Sequence, residues 1–483
     1  MAPKKAARKA DAAGTPHLQW RRDGDLCLVT NDSGHYAWLK RRDFEALTSG
    51  GLDDKHPLYR DLAAKGFVRD RLDFEGLAAR WRSANSHLAS GPGLHILVLT
   101  LRCNHKCLYC QSAAAGVGAR DTDMSPATAR KCVDFAFGSP NPNITIEFQG
   151  GEPLLNWDAL TAAVLHARAG AAKAGKDLQL ALVSNFSLMT EEKARFLMEN
   201  EVSVCTSLDG PADLHNRNRV YSGGNSHAAT VKWLRYFQEK YKRQVPEYRT
   251  FKPSALLTVS RYSLGRHKEI IDEYVKLGLE DVFVRPLAPI GYAKKYWDRI
   301  GYTAADFAKF YLDSLDYILK LNRSGVPVRE KMASLMLEKV LNFKDPGYLD
   351  ARCPCGAAIG QIAYNYNGDL YTCDEGRMVG WDGDDAFRIG NVRKDTYRKV
   401  MTGGVARACV LSSNLESQPD CVRCVYKPYC GVCPVYNYET QGSLWGDMAA
   451  NDRCALFKGI FGALFGMLKK PANEAVLRKW VQK

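Results

Sequence analysis

The sequence predicts an α/β protein: a six-stranded parallel sheet, preceded by a small α+β module and followed by a cysteine-rich region. Three observations predict it. From Leu94 to Arg285 short apolar runs alternate with helical stretches, six strands in all. Before Arg80, two apolar runs flank a turn and lead into two short helical patterns. After Ala351 cysteines crowd together and the regular pattern dissolves. At 483 residues the chain exceeds a single core. We divide it at 1–16, 17–90, 91–300, 301–350, 351–456 and 457–483.

Residues 1–16 are rich in Lys, Arg and Ala with no apolar run behind the charges, so they read as a disordered basic tail rather than a secretory signal. A cytoplasmic location is expected. In the module, Asp25 to Thr30 and Tyr36 to Leu39 flank the turn Asn31-Asp32-Ser33-Gly34, and helices are expected at Arg42 to Leu47 and Leu58 to Lys65. Gly66 closes the second helix. The sheet strands are expected at His95 to Leu101, Ile144 to Phe148, Leu178 to Val183, Val202 to Leu208, Ala255 to Val259 and Val282 to Arg285. Strands alternating with helices run parallel through right-handed crossovers, and ligands gather at their C-terminal ends. Thr303 to Asn342 reads as a helical linker. Ala351 to Cys454 reads as a small domain held by metal rather than by a core, and the apolar segment after it as a helix packed on the sheet. That segment, Ala455 to Leu468, is interrupted by Lys458 and too short for a membrane span.

The net charge of +14 favours an acidic partner, read here as a peptide. No zinc-finger His pair or aromatic RNA-binding signature points to nucleic acid. Of fifteen cysteines, twelve lie in two groups, Cys103 to Cys110 and Cys353 to Cys454; Cys27, Cys132 and Cys205 lie outside. Cys409 stands apart from the spaced motifs and is unassigned. Grouped cysteines without an export signal bind metal or do redox chemistry.

Cys103-x3-Cys107-x2-Cys110 sits on the loop leaving the first strand. Three thiolates hold three irons of a [4Fe-4S] cube and leave the fourth open, which is what chelation of S-adenosylmethionine (SAM) requires. Structural zinc needs a fourth ligand, and His105 is poorly placed to be one. The second strand ends in Glu147-Phe148-Gln149-Gly150-Gly151-Glu152-Pro153. Glycines there permit close backbone approach and the carboxylate suits an ammonium.

With an aromatic, Tyr109, before the last cysteine, this spacing resembles the radical SAM superfamily signature. The resemblance implies a partial (β/α)6 barrel, and a SAM site built from Gln149, Gly150, Gly151, Glu152 and Pro153. It adds Ser184 and Asn185 at the third strand end and Ser207 at the fourth. Thr206-Ser207-Leu208-Asp209-Gly210-Pro211 is similar to a stretch of peptide-modifying members. For Ser184 and Ser207, turn or cap roles compete with cofactor contact.

Cys355, then Gly368 and Cys373, then Cys421-x2-Cys424-x5-Cys430-x2-Cys433 and Cys454 resemble the SPASM domain of maturases, where the last gap holds three residues rather than two. The resemblance implies two auxiliary [4Fe-4S] clusters, one on Cys355, Cys373 and Cys433, the other on Cys421, Cys424, Cys430 and Cys454. Cys353 either completes the first cluster or leaves one iron open to substrate. Two zinc sites on the same cysteines are the alternative. Asp374 matches the position of a substrate-deprotonating base in sulfatase-maturing relatives; a hydrogen-bonding role beside the cluster competes.

Leu94-His95-Ile96, Cys110-Gln111, Ile146 to Pro153, Cys373 to Met378, Leu28 to Gly34 and Leu62 to Phe67 resemble the His-Xaa-Ser-system radical SAM/SPASM maturases, over roughly Leu18 to Cys454. This implies a ribosomally made precursor peptide as substrate, hydrogen abstraction by a 5′-deoxyadenosyl radical, an intramolecular cross-link of cyclophane type, and an electron donor such as flavodoxin or ferredoxin. The module at 17–90 is then either a leader-peptide binder working by strand addition or a cap over the barrel mouth. Oxidation of Cys or Ser to formylglycine is the alternative reaction. A metal-stabilised peptide-binding protein without turnover is the remaining alternative, and it has no use for an open iron.

Overall fold

The computed structural model describes residues 17–243, 251–380 and 383–482; the tail expected at 1–16 lies outside them. The N-terminal module is a three-stranded antiparallel sheet, β1 (Gln19–Asp23), β2 (Leu26–Thr30) and β3 (Tyr36–Lys40), followed by α1 (Arg41–Thr48), α2 (Tyr59–Ala64) and α3 (Phe74–Ala84). The β2–β3 hairpin turns at the expected Asn31–Gly34, and Gly66 takes a positive φ beyond α2. β1 and α3 were not expected. β1 buries only Gln19 and α3 buries no residue, so neither leaves an apolar rhythm in the sequence.

Next come β4 (Leu94–Val98), α4 (Pro126–Phe137), β5 (Asn143–Gln149), α5 (Trp157–Ala171), β6 (Asp177–Ser184), α6 (Glu191–Glu199) and β7 (Val202–Ser207). The series continues with α7 (Ser226–Arg243), β8 (Ser254–Thr258), α8 (His267–Lys276), β9 (Val284–Arg285) and α9 (Ala304–Arg323). Ser125 caps α4 by accepting from the Thr128 amide, with Pro126 opening the helix. β4 to β9 are all parallel and lie in sequence order, and β9 does not return to pair with β4, so the barrel stays open. The last strand is shorter than expected. Asp281–Val282 pairs with Arg329–Glu330, and only Val284–Arg285 continues the main sheet. Buried Glu330 ties this end together, accepting from the amides of Val284, Met332 and Ala333 and from the Tyr311 hydroxyl.

The cysteine-rich region departs from expectation: it extends the sheet. β10 (Gln361–Tyr364) pairs parallel with β4, and β11 (Asp369–Tyr371) and β12 (Arg388–Asn391) follow antiparallel, giving nine strands. β4 is apolar and buried, so its second edge needs a partner, and β10 is buried at all four positions. Strands of three or four residues are too short to show a period. Within this joint His95 bonds the Tyr364 hydroxyl at 2.8 Å, and burial pushes its pKa down to about 3, so it is neutral.

The region also carries α10 (Asp374–Val379), α11 (Gly404–Ser412), α12 (Pro434–Gln441), α13 (Asp452–Leu468) and α14 (Pro471–Lys479). α13 packs on α9 through Phe457, Ile460, Phe461 and Leu464. The N-terminal module sits on the 425–429 loop: Thr30 donates to the Val425 carbonyl (2.8 Å), Arg21 to the Tyr426 hydroxyl (2.7 Å), and Lys427 pairs with Asp32 (2.9 Å). Among the described residues no helix is long and apolar enough to cross a membrane.

Candidate radical site and thiol clusters

None of the fifteen cysteines forms a disulfide, and eleven of them collect in three places. The first is the loop after β4. Gly151 N–H donates to the Thr100 carbonyl (2.8 Å) and Glu152 N–H to the Arg102 carbonyl (2.7 Å), so the end of β5 is zipped to the chain entering Cys103. A Cβ on Gly150 would lie 2.2 Å from the Thr100 oxygen, and one on Gly151 2.2 Å from the Arg102 oxygen. No side chain fits either position. Arg102 is buried and grips Asp123 with two nitrogens, at 2.8 and 2.6 Å, fixing the loop from below. Cys103 Sγ accepts from the His105 amide at 3.3 Å. A cavity of about 500 Å³ opens beside the three thiols, walled opposite them by Tyr292, Tyr296 and Arg299.

The third strand end joins the same construction. Ser184 Oγ and the Asn185 amide donate to the two carboxylate oxygens of Glu152 (2.8 and 2.9 Å), and the Leu154 amide adds a third bond at 3.0 Å. Asn185 Nδ2 reaches Asn104 Oδ1 (3.0 Å) and approaches Cys103 Sγ at 4.0 Å.

Behind Cys107 lies a buried polar cluster. Asp209, fully buried, takes Nε of Arg219 at 3.1 Å, Nη2 at 3.3 Å and the Tyr109 hydroxyl. Arg219 Nη1 stands 4.0 Å from Cys107 Sγ, and its charge opposes the burial that pushes that thiol up to about 12. Ser226 bridges His105 and His215 at 2.9 Å each, and Tyr221 stacks on His105 with centroids 4.5 Å apart. The hairpin of His105–Cys107 against Arg219–Tyr221 holds these groups in register.

The second set is Cys355, Cys373, Cys409 and Cys433, buried together with Val98, Ala363 and Phe387. Cys373 and Cys433 are the N-caps of α10 and α12, their sulfurs accepting from the amides of Gly376 (3.2 Å) and Tyr436 (3.4 Å). The third set, Cys421, Cys424, Cys430 and Cys454, lines one pocket with Tyr426 and Phe457. These donors suit iron–sulfur cubes: soft thiols grouped in threes and fours, with amide donors or cations beside sulfurs in each set, Lys458 serving Cys454. Among the described residues no three His, Cys, Asp or Glu side chains close on a single point as a lone ion demands. Asp374 directly follows Cys373 of the second set. Its Oδ1 accepts from Nε and Nη2 of Arg377, both at 3.1 Å, and Arg377 reaches Ser112 two residues beyond Cys110 at 3.5 Å.

Residues 97–246 match the family model described as the radical SAM superfamily. The chain carries a radical SAM domain. It is 24% identical over 385 residues to a cysteine-type anaerobic sulfatase-maturating enzyme of Clostridium perfringens (strain 13 / Type A), covering 77% of this chain and 96% of the relative. It is 26% identical over 247 residues to the radical SAM cyclopropyl synthase TigE of Paramaledivibacter caminithermalis, covering 45% and 50% respectively. Among solved structures, anSMEcpe with bound AdoMet and the Cp18Cys peptide aligns with a TM-score of 0.64 at 22% identity, over 80% of this chain and all of the other. Streptococcus suis SuiB bound to its precursor peptide SuiA gives 0.53 at 12% identity, over 89% and 97%. These structural likenesses are of fold.

Within the radical SAM domain the structure brings Cys103, Cys107, Cys110, Gly150, Gly151, Glu152, Pro153, Ser184 and Asn185 to one place. Glu152 is fully buried with internal donors on both oxygens, so its carboxylate braces the strand ends. Gly150 and Gly151 are required by the approach of the cysteine loop itself. Gln149 bonds Glu147, and Tyr109 is turned into the core onto Asp209. Ser207 is half-buried at the end of β7. Cys353, which could have completed the set of Cys355, is placed elsewhere: its sulfur meets the Leu415 amide (3.3 Å) and Asn414 (3.7 Å), against the wall shared with Cys421, Cys430 and Cys454. Sequence reasoning missed Arg102, Asp209, Arg219 and Arg377 as site-building residues. Arg102 and Asp209 carried a signal, each directly following a predicted strand, where burial demands a partner; Arg219 and Arg377 lie away from every predicted strand.

Proposed function

We propose that this protein is a radical SAM maturase of a ribosomally made precursor peptide, installing an intramolecular cross-link. The observation that carries the reading is three separate thiol sets in one chain, with Asp374 next to Cys373 of the second set and tied through Arg377 to Ser112 beside the first. A cluster-bound SAM would supply the hydrogen-abstracting radical, and the auxiliary clusters would accept the electron left on the peptide. The chain's residues do the rest. Cys103, Cys107 and Cys110 would hold the first cluster, with Glu152 and Arg102 keeping their loop rigid and open to the cavity. Asp374 would take a proton from the peptide as the electron leaves, with Arg377 holding its carboxylate in place. A flavodoxin or ferredoxin would deliver the electron that starts each turnover.

The N-terminal module would capture the leader. β3 is an edge strand, and beside it lies a cavity of about 590 Å³ walled by Tyr36, Trp38, Arg80 and Arg478. An added peptide strand would complete the β3 ladder, and the positive chain would favour acidic leaders.

The likeness to the sulfatase-maturating enzyme, which spans 96% of that relative, favours a second reading, oxidation of Cys or Ser to formylglycine. One experiment separates the two. A peptide encoded beside this gene is co-expressed anaerobically with the enzyme and sequenced by tandem mass spectrometry. Loss of two hydrogens with fragmentation silent across a few residues is expected. A hydrazine-reactive aldehyde would replace the cross-linking reading with the second.

A further inference from the structure

We infer that Cys409, which belongs to no spaced motif, is the fourth thiolate of the first auxiliary cluster, completing Cys355, Cys373 and Cys433. The inference rests on the auxiliary clusters proposed above. Cys409 lies on α11, which starts thirty residues past the motif around Cys373, and it is 1% exposed in the same buried cluster as the other three. The Thr372 hydroxyl, in the strand end leading into this set, donates toward Cys373 Sγ at 3.9 Å. The helix is also tied to the set: Ser413 Oγ accepts from the Cys355 amide at 3.0 Å and donates to the Cys409 carbonyl at 2.7 Å. Cys353, separated from Cys355 by one residue, faces the third set instead.

The consequence is chemical. Three thiolates would leave one iron of the cube open to a peptide side chain, whereas four close it. The first auxiliary cluster then passes electrons without gripping substrate, and peptide deprotonation falls to Asp374 rather than to a metal-bound group.

The test uses the full chain with Cys103, Cys107 and Cys110 all changed to Ala, so that only auxiliary signals remain. Cys409→Ala, Cys409→Ser and Cys353→Ala are added singly, reconstituted anaerobically and compared by iron and sulfide content. Reduced samples are read by electron paramagnetic resonance with and without ¹³C-cyanide. Far-UV circular dichroism of Cys409→Ser checks the fold. The parent is expected to ignore cyanide. Cys409→Ala either gains a ¹³C-split signal or loses about half the iron. Cys409→Ser keeps the iron with shifted g-values, and Cys353→Ala matches the parent. Cyanide binding by the parent, or parental iron and spectra in both Cys409 variants, would overturn the inference. A parent holding no iron would remove the auxiliary-cluster reading itself, which is a separate and recognisable outcome.

Discussion

Gly151→Ala tests whether the cysteine loop is positioned by backbone zipping. The new Cβ would fall 2.2 Å from the Arg102 oxygen and 2.5 Å from that of Leu101, both backbone atoms of the loop that leads into Cys103. Contacts under 3.0 Å are not tolerated, so the loop must retreat by about 1 Å. Arg102 cannot follow freely, because Asp123 and the Leu155 carbonyl hold its guanidinium. The retreat stretches or breaks the bonds of Gly151 to Thr100 and Glu152 to Arg102. Two buried bonds at about 1 kcal/mol each, with unmet carbonyls adding to that, give roughly 2–4 kcal/mol of local destabilisation. A displacement of about 1 Å at a reacting centre lowers rate by about 10²-fold. The assay is anaerobic SAM cleavage to deoxyadenosine, with iron content measured on the same sample. We expect cleavage to fall about 10²-fold or further while auxiliary iron is retained. Gly404→Ala is the control, since its Cβ meets nothing within 4 Å. Parental cleavage by Gly151→Ala would refute the zipping argument.

Three further perturbations probe the other parts. Cys107→Ala should abolish SAM cleavage, whereas Cys424→Ala should leave abortive cleavage with little modified peptide; modified peptide from the first variant would sink the site assignment. Asp374→Asn should lower product by about 10²-fold or more while deoxyadenosine still forms, as loss of a general base does; full product yield would leave the residue a structural role. Arg219→Met strands a fully buried Asp209 carboxylate at a cost of about 3–5 kcal/mol, and adding Asp209→Asn should recover part of it. Thermal unfolding of both variants reads this out, and an unchanged single variant would mean the pair holds nothing in place.

How much of this was legible depended on the range over which each signal acts. α1 and α2 were legible to within a residue at each end, because turns and helical periods are local. The strands were legible to within a few residues, because each is buried and apolar. The pairing of β10 with β4 was not: it joins residues 361–364 to 94–97, and four residues carry no period. At the site, the motif cysteines were legible because loop geometry ties spacing to chemistry. Gly150, Gly151 and Glu152 signalled a close backbone approach without saying to what; the structure brings Thr100 and Arg102 there.

Cys353 and Cys409 are the sharpest case. Proximity in sequence favoured Cys353, yet the chain bends through Arg352-Cys353-Pro354, so cysteines two apart need not face the same way. Leu415 and Asn414 draw the first sulfur one way, while Ser413 and Thr372 hold the second set together on the other. The last turn of α11, its cap Ser413 and the two residues after it, Cys409 to Leu415, thus reach both sets at once, with Cys409 at one end and the amide that meets Cys353 at the other. If Cys409 closes the first auxiliary cube, α11 becomes the physical link between the two auxiliary sites. A substitution at Ser413 that frees the helix would then disturb both clusters together, which substitutions of single thiols in either set would not do.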